Sequence, residues 1–309
     1  MKRSKHFFNL DGIMIVNKPV DMTSSEVVRR VKQWLNPKKI GHGGTLDPFA
    51  EGLLVLLINR GTKIADQFLD DDKTYEFTIL FGYETDTLDR TGKIIHTYDG
   101  PPVDRETLEK VLSQFRGNLK QRIPAYAAAR VDGKRLYKLA RQGITVEAPS
   151  KEVTVYELDL INYEWPRATF RARCSKGTYV RQLGADIARA AGCFGTLEHL
   201  IRTQSGRFSL QDAWTLEEVK SHIDAGQAER LLIPLADALD HLPAVSANGE
   251  EMEKLKHGQI NHSLAVKAKE VVTSDHSPVR ILNDTQDTLL ALWWPQRGIT
   301  HKRHLKVLI

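Results

Sequence analysis

Cysteine is nearly absent from this sequence. Its 309 residues include only Cys174 and Cys193, which excludes a disulfide framework and any zinc site built mainly from cysteines. The 11 histidines are scattered along the chain and offer no convincing set of metal ligands. We therefore expect no bound metal and a reducing compartment, which favours a cytoplasmic protein.

Long hydrophobic runs are absent as well. The most apolar stretch, residues 52–58, is far shorter than the roughly 20 residues that a transmembrane helix needs. The basic residues at the start of the sequence reach Asp11 before any apolar run of the length found in signal peptides. The sequence therefore predicts a soluble protein with no membrane span and no secretion signal.

Three further patterns are missing. The sequence contains neither a G-x-x-x-x-G-K-[ST] loop nor a G-x-G-x-x-G fingerprint, which excludes the common sites for nucleotide cofactors. It also has no internal repeat and no heptad pattern, so we expect a monomer with no obligate protein partner. At 309 residues the chain is long enough for a main domain and an appendage.

Charge is only slightly unbalanced, but part of it is concentrated. Lys and Arg total 44 against 39 Asp and Glu, for a net charge of +5, which mildly favours a polyanionic partner. The densest basic and aromatic segment, the basic arm, spans about residues 121–150. On composition alone, its cations most simply face water on a loop and a helix; the alternative is an arm that contacts RNA. The candidate RNA-binding residues are Arg122, Tyr126, Arg130, Lys134, Arg135, Lys138 and Arg141.

Hydrophobic periodicity predicts a mixed α/β chain. Strands are expected where apolar residues alternate or run together, at residues 13–16, 75–81, 153–160 and 169–174. Helices are predicted after a cap at Ser24 or Ser25, from Asp104, over residues 179–191, and from a capping box of Thr215 and Glu218. The apolar run at 53–58 fits either a central strand or a buried helix.

The end of the sequence predicts a separate small domain. Residues 233–235 and 241–243 have the character of a linker. Beyond them, short strand-like runs separated by polar turns occur at residues 271–273, 279–282, 289–293 and 305–309. We therefore expect a main domain at residues 1–238 and a β-rich domain at residues 239–309.

The segment GHGGTLDPFAEG at residues 41–52 is the most informative for chemistry. Its glycines let the backbone approach a ligand closely, and Pro48 keeps Asp47 out of a right-handed helix. Such a turn can present a carboxylate as a nucleophile or a base. For an isolated Asp-Pro pair, an ordinary Asx turn is the simpler interpretation. His42, taken alone, is more often a local hydrogen-bonding residue than a catalyst.

The segment GHGGTLDPFAEGLL also resembles the catalytic-aspartate motif of the TruB family of tRNA pseudouridine synthases, in its bacterial form. Four more segments resemble the other motifs of this family in the same order. They are DGIMIVNKPVDMTS at 11–24, KTYEFTILFGYETDTLDRTG at 73–92, SKGTYVRQLGADIA at 175–188 and GTLEHLIRTQSGRF at 195–208. With five ordered motifs over nearly its first two thirds, the chain is identified as a member of this family.

The resemblance implies both a fold and a reaction. The implied fold is a curved, mixed and mainly antiparallel sheet with flanking helices and an active-site cleft, followed by a PUA-like RNA-binding domain at residues 239–309. The implied reaction isomerises uridine to pseudouridine at position 55 in the T-loop of tRNA, without cofactor or metal, after the base is flipped out of its stack. The sequence leaves open whether Asp47 attacks the uracil ring or the sugar, or first promotes elimination.

Three catalytic residues follow from matching motif positions. The resemblance implies that Asp47 attacks the target nucleotide. It implies that Tyr75 stacks on the flipped uracil and assists proton transfer at its C5. It also implies that Arg181 pairs with Asp47, favouring the charged carboxylate and fixing its direction. Outside their motifs, Tyr75 would be an ordinary core residue and Arg181 an ordinary helix charge.

Four substrate-binding residues are implied in the same way. Tyr179 and Leu200 match residues that line the base pocket, and His42 matches a histidine that contacts the T-loop and holds the target out of its stack. Lys18, with Pro19, matches a Lys-Pro pair that we expect to support the pocket.

Two alternative functions remain open from the sequence. A noncatalytic tRNA-binding or tRNA-folding protein on the same fold would be indicated by loss of Asp47 or Tyr75, and both are present. A hydrolase that uses Asp47 with His42 on a free nucleoside would need neither the basic arm nor the β-rich tail. One departure affects the arm: the family's Tyr-Ser-Ala-x-Lys reads Tyr-Ala-Ala-Ala-Arg at residues 126–130, which keeps a charge and loses a hydroxyl.

Overall fold

The structure is a computed structural model. It describes residues 8–127, 129–131, 133–144, 146, 149–272, 277–295 and 304–309. Within these ranges, no helix has both the length and the apolar character needed to cross a membrane.

Strands make up most of the regular structure. In chain order they are β1 (Gly12–Lys18), β2 (Ile40–His42), β3 (Glu51–Ile58), β4 (Lys73–Phe81), β5 (Tyr83–Thr85), β6 (Ile94–Thr97), β7 (Gly117–Arg122), β8 (Arg130–Val131), β9 (Lys134–Arg135), β10 (Ser150–Glu164), β11 (Arg167–Cys174), β12 (Gly195–Ser205), β13 (Phe208–Ser209), β14 (Ala244–Ser246), β15 (Val279–Leu282), β16 (Leu289–Trp293) and β17 (Leu305–Val307).

The helices are short. In chain order they are α1 (Ser24–Leu35), α2 (Ala65–Leu69), α3 (Arg105–Leu112), α4 (Leu136–Arg141), α5 (Val180–Ala190), α6 (Leu216–Asp224), α7 (Leu235–Ala238), α8 (Gly249–Lys256) and α9 (His262–Val271). The predicted caps at Asp104 and at Thr215 with Glu218 are confirmed. The cap of α1 is Thr23, whose side chain accepts from Glu26 N, because the Ser24 hydroxyl is bonded to the backbone of Leu46 instead.

The main sheet is mixed and mainly antiparallel, as predicted. Its strand order is β1-β3-β12-β4-β11-β10-β7, with β2 beside β3 and β13 beside β12. Among the described residues, β12 and β3 are the one pair of neighbouring strands in this sheet that runs in parallel. The ambiguous run at 53–58 forms part of β3, and it is apolar throughout because both of its faces are buried.

Helices cover both faces of this sheet. On one side, α3 and α5 pack against β4, β10 and β11 in a core that includes the stacked pair Phe77 and Phe170, with ring centroids 5.4 Å apart. On the same face, nearer the β1 edge, α1 and α6 pack against β1 and β3. On the opposite face, α2 and α7 pack against β1 and β3. The predicted mixed α/β class is therefore confirmed.

The last part of the chain forms a four-stranded sheet in the order β14-β15-β16-β17. The expected strands at 279–282 and 289–293 are present, and the run from 305 forms β17. The expected strand at Val271 is wrong, since Val271 ends helix α9; Thr273 lies outside the described residues. Helices α8 and α9 pack against this sheet in a core of their own and were not predicted.

The expected linker is wrong. Ile233 exchanges two backbone hydrogen bonds with Ile13 of β1, at 2.9 and 2.8 Å, and Leu235 and Leu242 are buried. Both leucines belong to a core that joins the odd-numbered face of β1 and β3 to residues of β15 and β16. The connecting segment is therefore packed against the main sheet.

Candidate active site

The loop between β2 and β3 is held on both sides of Asp47. On one side, the Ser24 hydroxyl accepts from Leu46 N at 2.9 Å and donates to Leu46 O at 3.1 Å. On the other side, Lys18 Nζ donates to Pro48 O at 3.2 Å. The loop is thus fixed by side chains from the segment at residues 11–24, which explains why two distant motifs serve one aspartate.

Arg181 pairs with Asp47 through two parallel hydrogen bonds. Its Nε and Nη2 donate to Asp47 Oδ2 and Oδ1 at 2.8 and 3.3 Å. The arginine side chain is only 4% exposed, whereas the aspartate is 36% exposed. A fork of this kind fixes the plane of the carboxylate, so Asp47 presents one defined edge to the solvent side.

The same guanidinium gathers three other segments. It donates to the carbonyls of Thr87 and Tyr126 at 2.7 and 3.0 Å and lies 3.5 Å from the Asp89 carboxylate. Its position at the start of α5 is set by Gln121, whose amide donates to Tyr179 O and whose carbonyl accepts from Tyr179 N. Arg181 therefore connects the Asp47 loop, the β5–β6 region and the basic arm.

An inner cavity of about 270 Å³ opens beside Asp47. This volume is more than a single planar base requires. The predicted residues that line it are Asp47, Tyr75, Tyr179, Arg181 and Leu200. The structure thus brings together five of the seven predicted catalytic and substrate-binding residues around one cavity.

The aromatic residues of the inner cavity are neutral at physiological pH. Burial raises the pKa of the Tyr75 phenol, and the charge of Arg202 opposes this shift in part. Burial also raises the pKa of Tyr179. Both rings therefore offer faces for stacking and hydroxyls that can donate or accept a hydrogen bond.

Lys18 is enclosed within the protein. Its side chain is fully buried, and its ammonium donates to three carbonyls, those of Pro19, Met22 and Pro48. Burial lowers the pKa of this lysine to about 8. Although Lys18 was grouped with the substrate-binding residues, its contacts are those of the expected support, because an enclosed ammonium with three acceptors has no surface left for RNA.

His42 lies outside the inner cavity. It lines an outer groove of about 980 Å³ that meets the inner cavity at Asp47 and Arg181. Its Nδ1 accepts from Gly44 N at 3.4 Å, and burial together with the charge of Arg202 lowers the pKa of the imidazole. In the described residues no hydrogen bond joins His42 to Asp47, so the pairing required by the hydrolase alternative is not formed.

The basic arm contributes to the outer groove only in part. Tyr126, Arg130, Arg135 and Arg141 line the groove, as does Tyr137, whose ring lies 5.6 Å from the Arg141 guanidinium carbon. Lys134 and Lys138 line a separate depression that also includes Arg130 and Arg135. Arg122 is exposed at the end of β7 and lines neither space. Ala128, within the departure noted above, lies outside the described residues.

Carboxylates also line the outer groove, but each has an internal partner. Asp21 accepts from Arg90 at 2.6 Å, Asp86 accepts from the Tyr126 hydroxyl at 3.2 Å, and Asp89 lies against Arg181. Across the described part of the chain, no ion pair engages Arg130, Arg135 or Arg141. The groove therefore presents its positive charges to a ligand while its negative charges are satisfied within the protein.

Two residues of the inner cavity were missed from the sequence. Lys73 is buried at the start of β4; its ammonium donates to the carbonyls of Phe68, Leu69 and Asp71, and burial lowers its pKa to about 8. Arg202 is 2% exposed. A signal for Arg202 was present, since it continues the inward face of a strand two residues after Leu200.

Comparisons with known proteins identify the family of this chain. Residues 32–180 match the family model for the TruB family pseudouridylate synthase N-terminal domain, and residues 181–241 match the tRNA pseudouridylate synthase B C-terminal domain. A tRNA pseudouridine synthase B from Syntrophobacter fumaroxidans is 44% identical over 298 residues, which cover 96% of this chain and 97% of that protein. The chain belongs to the TruB family. A second TruB-family relative, from Caldanaerobacter subterraneus subsp. tengcongensis, is 42% identical over 81% of this chain and 86% of its own.

Solved structures support the fold assignment of this TruB-family chain. A chain of a Cbf5-Nop10-Gar1 complex has a TM-score of 0.70 at 23% identity, covering 96% of this chain and 83% of that one. A chain of an H/ACA RNP bound to a substrate RNA containing 2′-deoxyuridine has a TM-score of 0.68 at 23% identity, covering 91% and 77%. At this identity the likeness concerns the fold.

Proposed function

We propose that this protein isomerises uridine to pseudouridine at position 55 in the T-loop of tRNA, with Asp47 as the attacking group. The observation that carries the proposal is the forked pair of Arg181 with Asp47 at a cavity with room for one base. Membership of the TruB family and the names of its relatives agree with this activity. The expected T-loop position comes from the motif resemblance.

The geometry supplies what the reaction needs from a protein. Isomerisation breaks the bond between uracil N1 and the ribose, turns the base, joins C5 to the ribose carbon and moves a proton from C5 to N1. The base must leave its stack to reach Asp47, which costs a few kcal/mol. Stacking on Tyr75 within the inner cavity offsets part of this cost, and Leu200 supplies an apolar wall.

The outer groove is the proposed seat of the RNA backbone around the flipped base. Its available cations, Arg130, Arg135 and Arg141, are suited to phosphates, and Tyr137 is suited to a base or ribose. His42 lines this groove, and the motif resemblance implies that it contacts the T-loop and holds the target base out of its stack. Lys134 and Lys138 line the separate depression, so we propose that they contact phosphates farther from the flipped base. Arg122 lines neither the groove nor the depression and has no proposed contact.

The remaining assignments extend this proposal. We propose that residues 239–309 act as a PUA-like RNA-binding domain beside a catalytic domain at 1–238, and that the enzyme works in the cytoplasm as a monomer without cofactor, metal or obligate protein partner. Because isomerisation is neither an oxidation nor a hydrolysis, the reaction balances with tRNA as its sole reactant.

The decisive experiment maps pseudouridine, nucleotide by nucleotide, in an unmodified tRNA transcript after treatment with wild-type protein or Asp47→Asn. The substitution keeps the shape of the side chain and its bond-accepting oxygen but removes the carboxylate. We expect pseudouridine at position 55 with wild type, none with Asp47→Asn, and similar tRNA affinity for both.

Each other outcome points elsewhere. Product at a different position would keep the activity and overturn the T-loop assignment. Product from Asp47→Asn would overturn the role of Asp47. Binding and annealing of tRNA by both proteins without product would replace the enzyme with an RNA-folding protein, and cleavage of free uridine would favour the hydrolase.

A further inference from the structure

Arg202 occupies the point where three strands of the main sheet meet, and the motif resemblance gives it no role. It is the Cα partner of Tyr75 on β4 and of Gly52 on β3. Directly paired residues of neighbouring strands place their side chains on the same face. Arg202 and Tyr75 accordingly line the same inner cavity, although the arginine is almost completely enclosed.

The Arg202 guanidinium is anchored to the segment that bears Asp47. Its Nε donates to Leu53 O at 2.7 Å, and its Nη2 donates to Gly44 O at 3.3 Å. An arginine has five N–H donors in a rigid plane, so these two anchors leave donors for the cavity side, where Tyr75 lies. The guanidinium of Arg202 therefore connects the glycine-rich loop, which includes Gly44, to strand β4, which carries Tyr75.

The charge of Arg202 is sensed by the neighbouring groups of the site. It opposes the rise that burial imposes on the pKa of Tyr75, and it adds to the effect of burial in lowering the pKa of His42. The guanidinium is thus close enough to both residues to influence their protonation. On Tyr75 the main effect of Arg202 is the electrostatic one of its positive charge, which favours negative charge on the phenol oxygen.

Resting on the proposed function, we propose that Arg202 is a positioning residue that fixes the Tyr75 hydroxyl over the flipped uracil and ties it to the loop bearing Asp47. Arg202 should act on the reaction after tRNA has bound rather than on binding itself, because it lies beneath the surface that RNA reaches. Its loss should therefore slow isomerisation within the complex and leave the affinity for tRNA nearly unchanged.

The first measurement separates rate from binding. Single-turnover isomerisation of a tRNA transcript and the tRNA dissociation constant are compared for wild type, Arg202→Gln and Arg202→Lys. We expect Arg202→Gln to slow isomerisation at least about tenfold, which lies within the range for contacting residues, with less than about threefold change in affinity. Arg202→Lys keeps the positive charge but loses the planar set of donors, so its rate of isomerisation should lie between those of wild type and Arg202→Gln.

The second measurement reports on Tyr75 itself. The protein is labelled with 3-fluorotyrosine, whose phenol is more acidic, and the resonance that disappears in Tyr75→Phe is followed by ¹⁹F NMR as the pH rises. The pKa of this residue should increase in Arg202→Gln and change little in Arg202→Lys. A residue that merely anchored the loop would slow the reaction without moving this pKa, and that result overturns the proposal.

Controls separate this inference from the proposed function. Arg171→Gln changes an exposed arginine of β11 that pairs with Glu76, on the face opposite Tyr75, and should alter neither measurement. If Arg202→Gln does not fold, Arg202→Lys carries the test, and a wild-type rate of isomerisation in that variant overturns the inference. If wild type makes no pseudouridine, the proposed function fails; if wild type is active and Arg202→Gln matches it, only the role of Arg202 fails.

Discussion

Arg181 is the residue on which the candidate site depends most. Its guanidinium meets Asp47 twice, Asp89 once and two backbone carbonyls, so every side of the fork has an acceptor. A buried cation is tolerated only when it is paired and hydrogen-bonded in this way. Arginine is the one side chain that can satisfy these acceptors at once, because its donors are fixed in a plane.

Replacing Arg181 with lysine tests this geometry while keeping the charge. Lysine cannot form the fork with Asp47, and a displacement of about 1 Å in a reacting group can cost roughly 10²-fold in rate. We therefore expect Arg181→Lys to slow single-turnover isomerisation by about two orders of magnitude. Arg189→Lys is the matched control, since Arg189 lies on the same helix and pairs with Glu84 and Asp186. A near-wild-type rate for Arg181→Lys would contradict the importance of the fork.

At the level of single residues, the sequence predicted which residues meet at the site better than it predicted which of them are buried. Asp47, Tyr75 and Arg181 are distant in sequence, and their meeting at one cavity followed from motif resemblance rather than from any pattern in the residues. Lys18 was grouped with the substrate-binding residues because a sequence shows a charge but not its burial. Arg202 was passed over because an arginine within a strand is ordinarily exposed.

At the level of elements, local signals were reliable where one physical cause dominates. Alternation predicted β4 and β11, and caps predicted α3 and α6, because side-chain period and N-cap bonds are properties of a few neighbouring residues. Helix α8 was missed although Asn248 and Glu251 form a capping box, a signal that the sequence contained. The sequence of residues 53–58 alone could not distinguish a strand from a buried helix, because the strand depends on pairing with β1 and β12, which are distant in sequence.

The close contact between β3 and β12 gives a prediction for Gly52. Its φ is +102°, and a Cβ there would lie 2.5 Å from Arg202 O and 2.8 Å from Arg202 N. Gly82 has a similar φ of +108° with no atom within 4 Å of such a Cβ. Alanine at either position pays about 1–2 kcal/mol for its backbone conformation, but only Gly52→Ala also forces two strands apart, at a further cost of about 1–3 kcal/mol.

Urea unfolding of the two alanine variants measures this difference. The free energy of unfolding should fall further in Gly52→Ala than in Gly82→Ala, and isomerisation should slow only in Gly52→Ala, because the moving strand carries Arg202. Equal losses of stability would mean that β12 shifts without cost and that the close approach has no structural importance.

For the whole molecule, the two sheets are joined by packing rather than by a tether. Arg280 of β15 donates to the carbonyls of Ala236, Asp240 and Leu242 in the connecting segment. Lys306 of β17 forms an ion pair with Asp66 of α2. These contacts surround the shared core, so the small sheet should hold a fixed orientation relative to the inner cavity. The boundary at residue 238 remains a prediction, since apolar packing continues across it.

Two leucines of β16, Leu290 and Leu292, make this coupling measurable in the full chain. Leu292 is fully buried in the core shared with β1 and β3, whereas Leu290 is 3% exposed in the core between the small sheet and its own helices. Replacing either with alanine should cost about 2–5 kcal/mol. In hydrogen exchange, Leu292→Ala should speed exchange of β1 and β3 amides as well as β16 amides, because the cavity opens onto both sheets. Leu290→Ala should act mainly on residues 244–309. If both variants accelerate only the small sheet, the two sheets unfold independently and the shared core does not couple them.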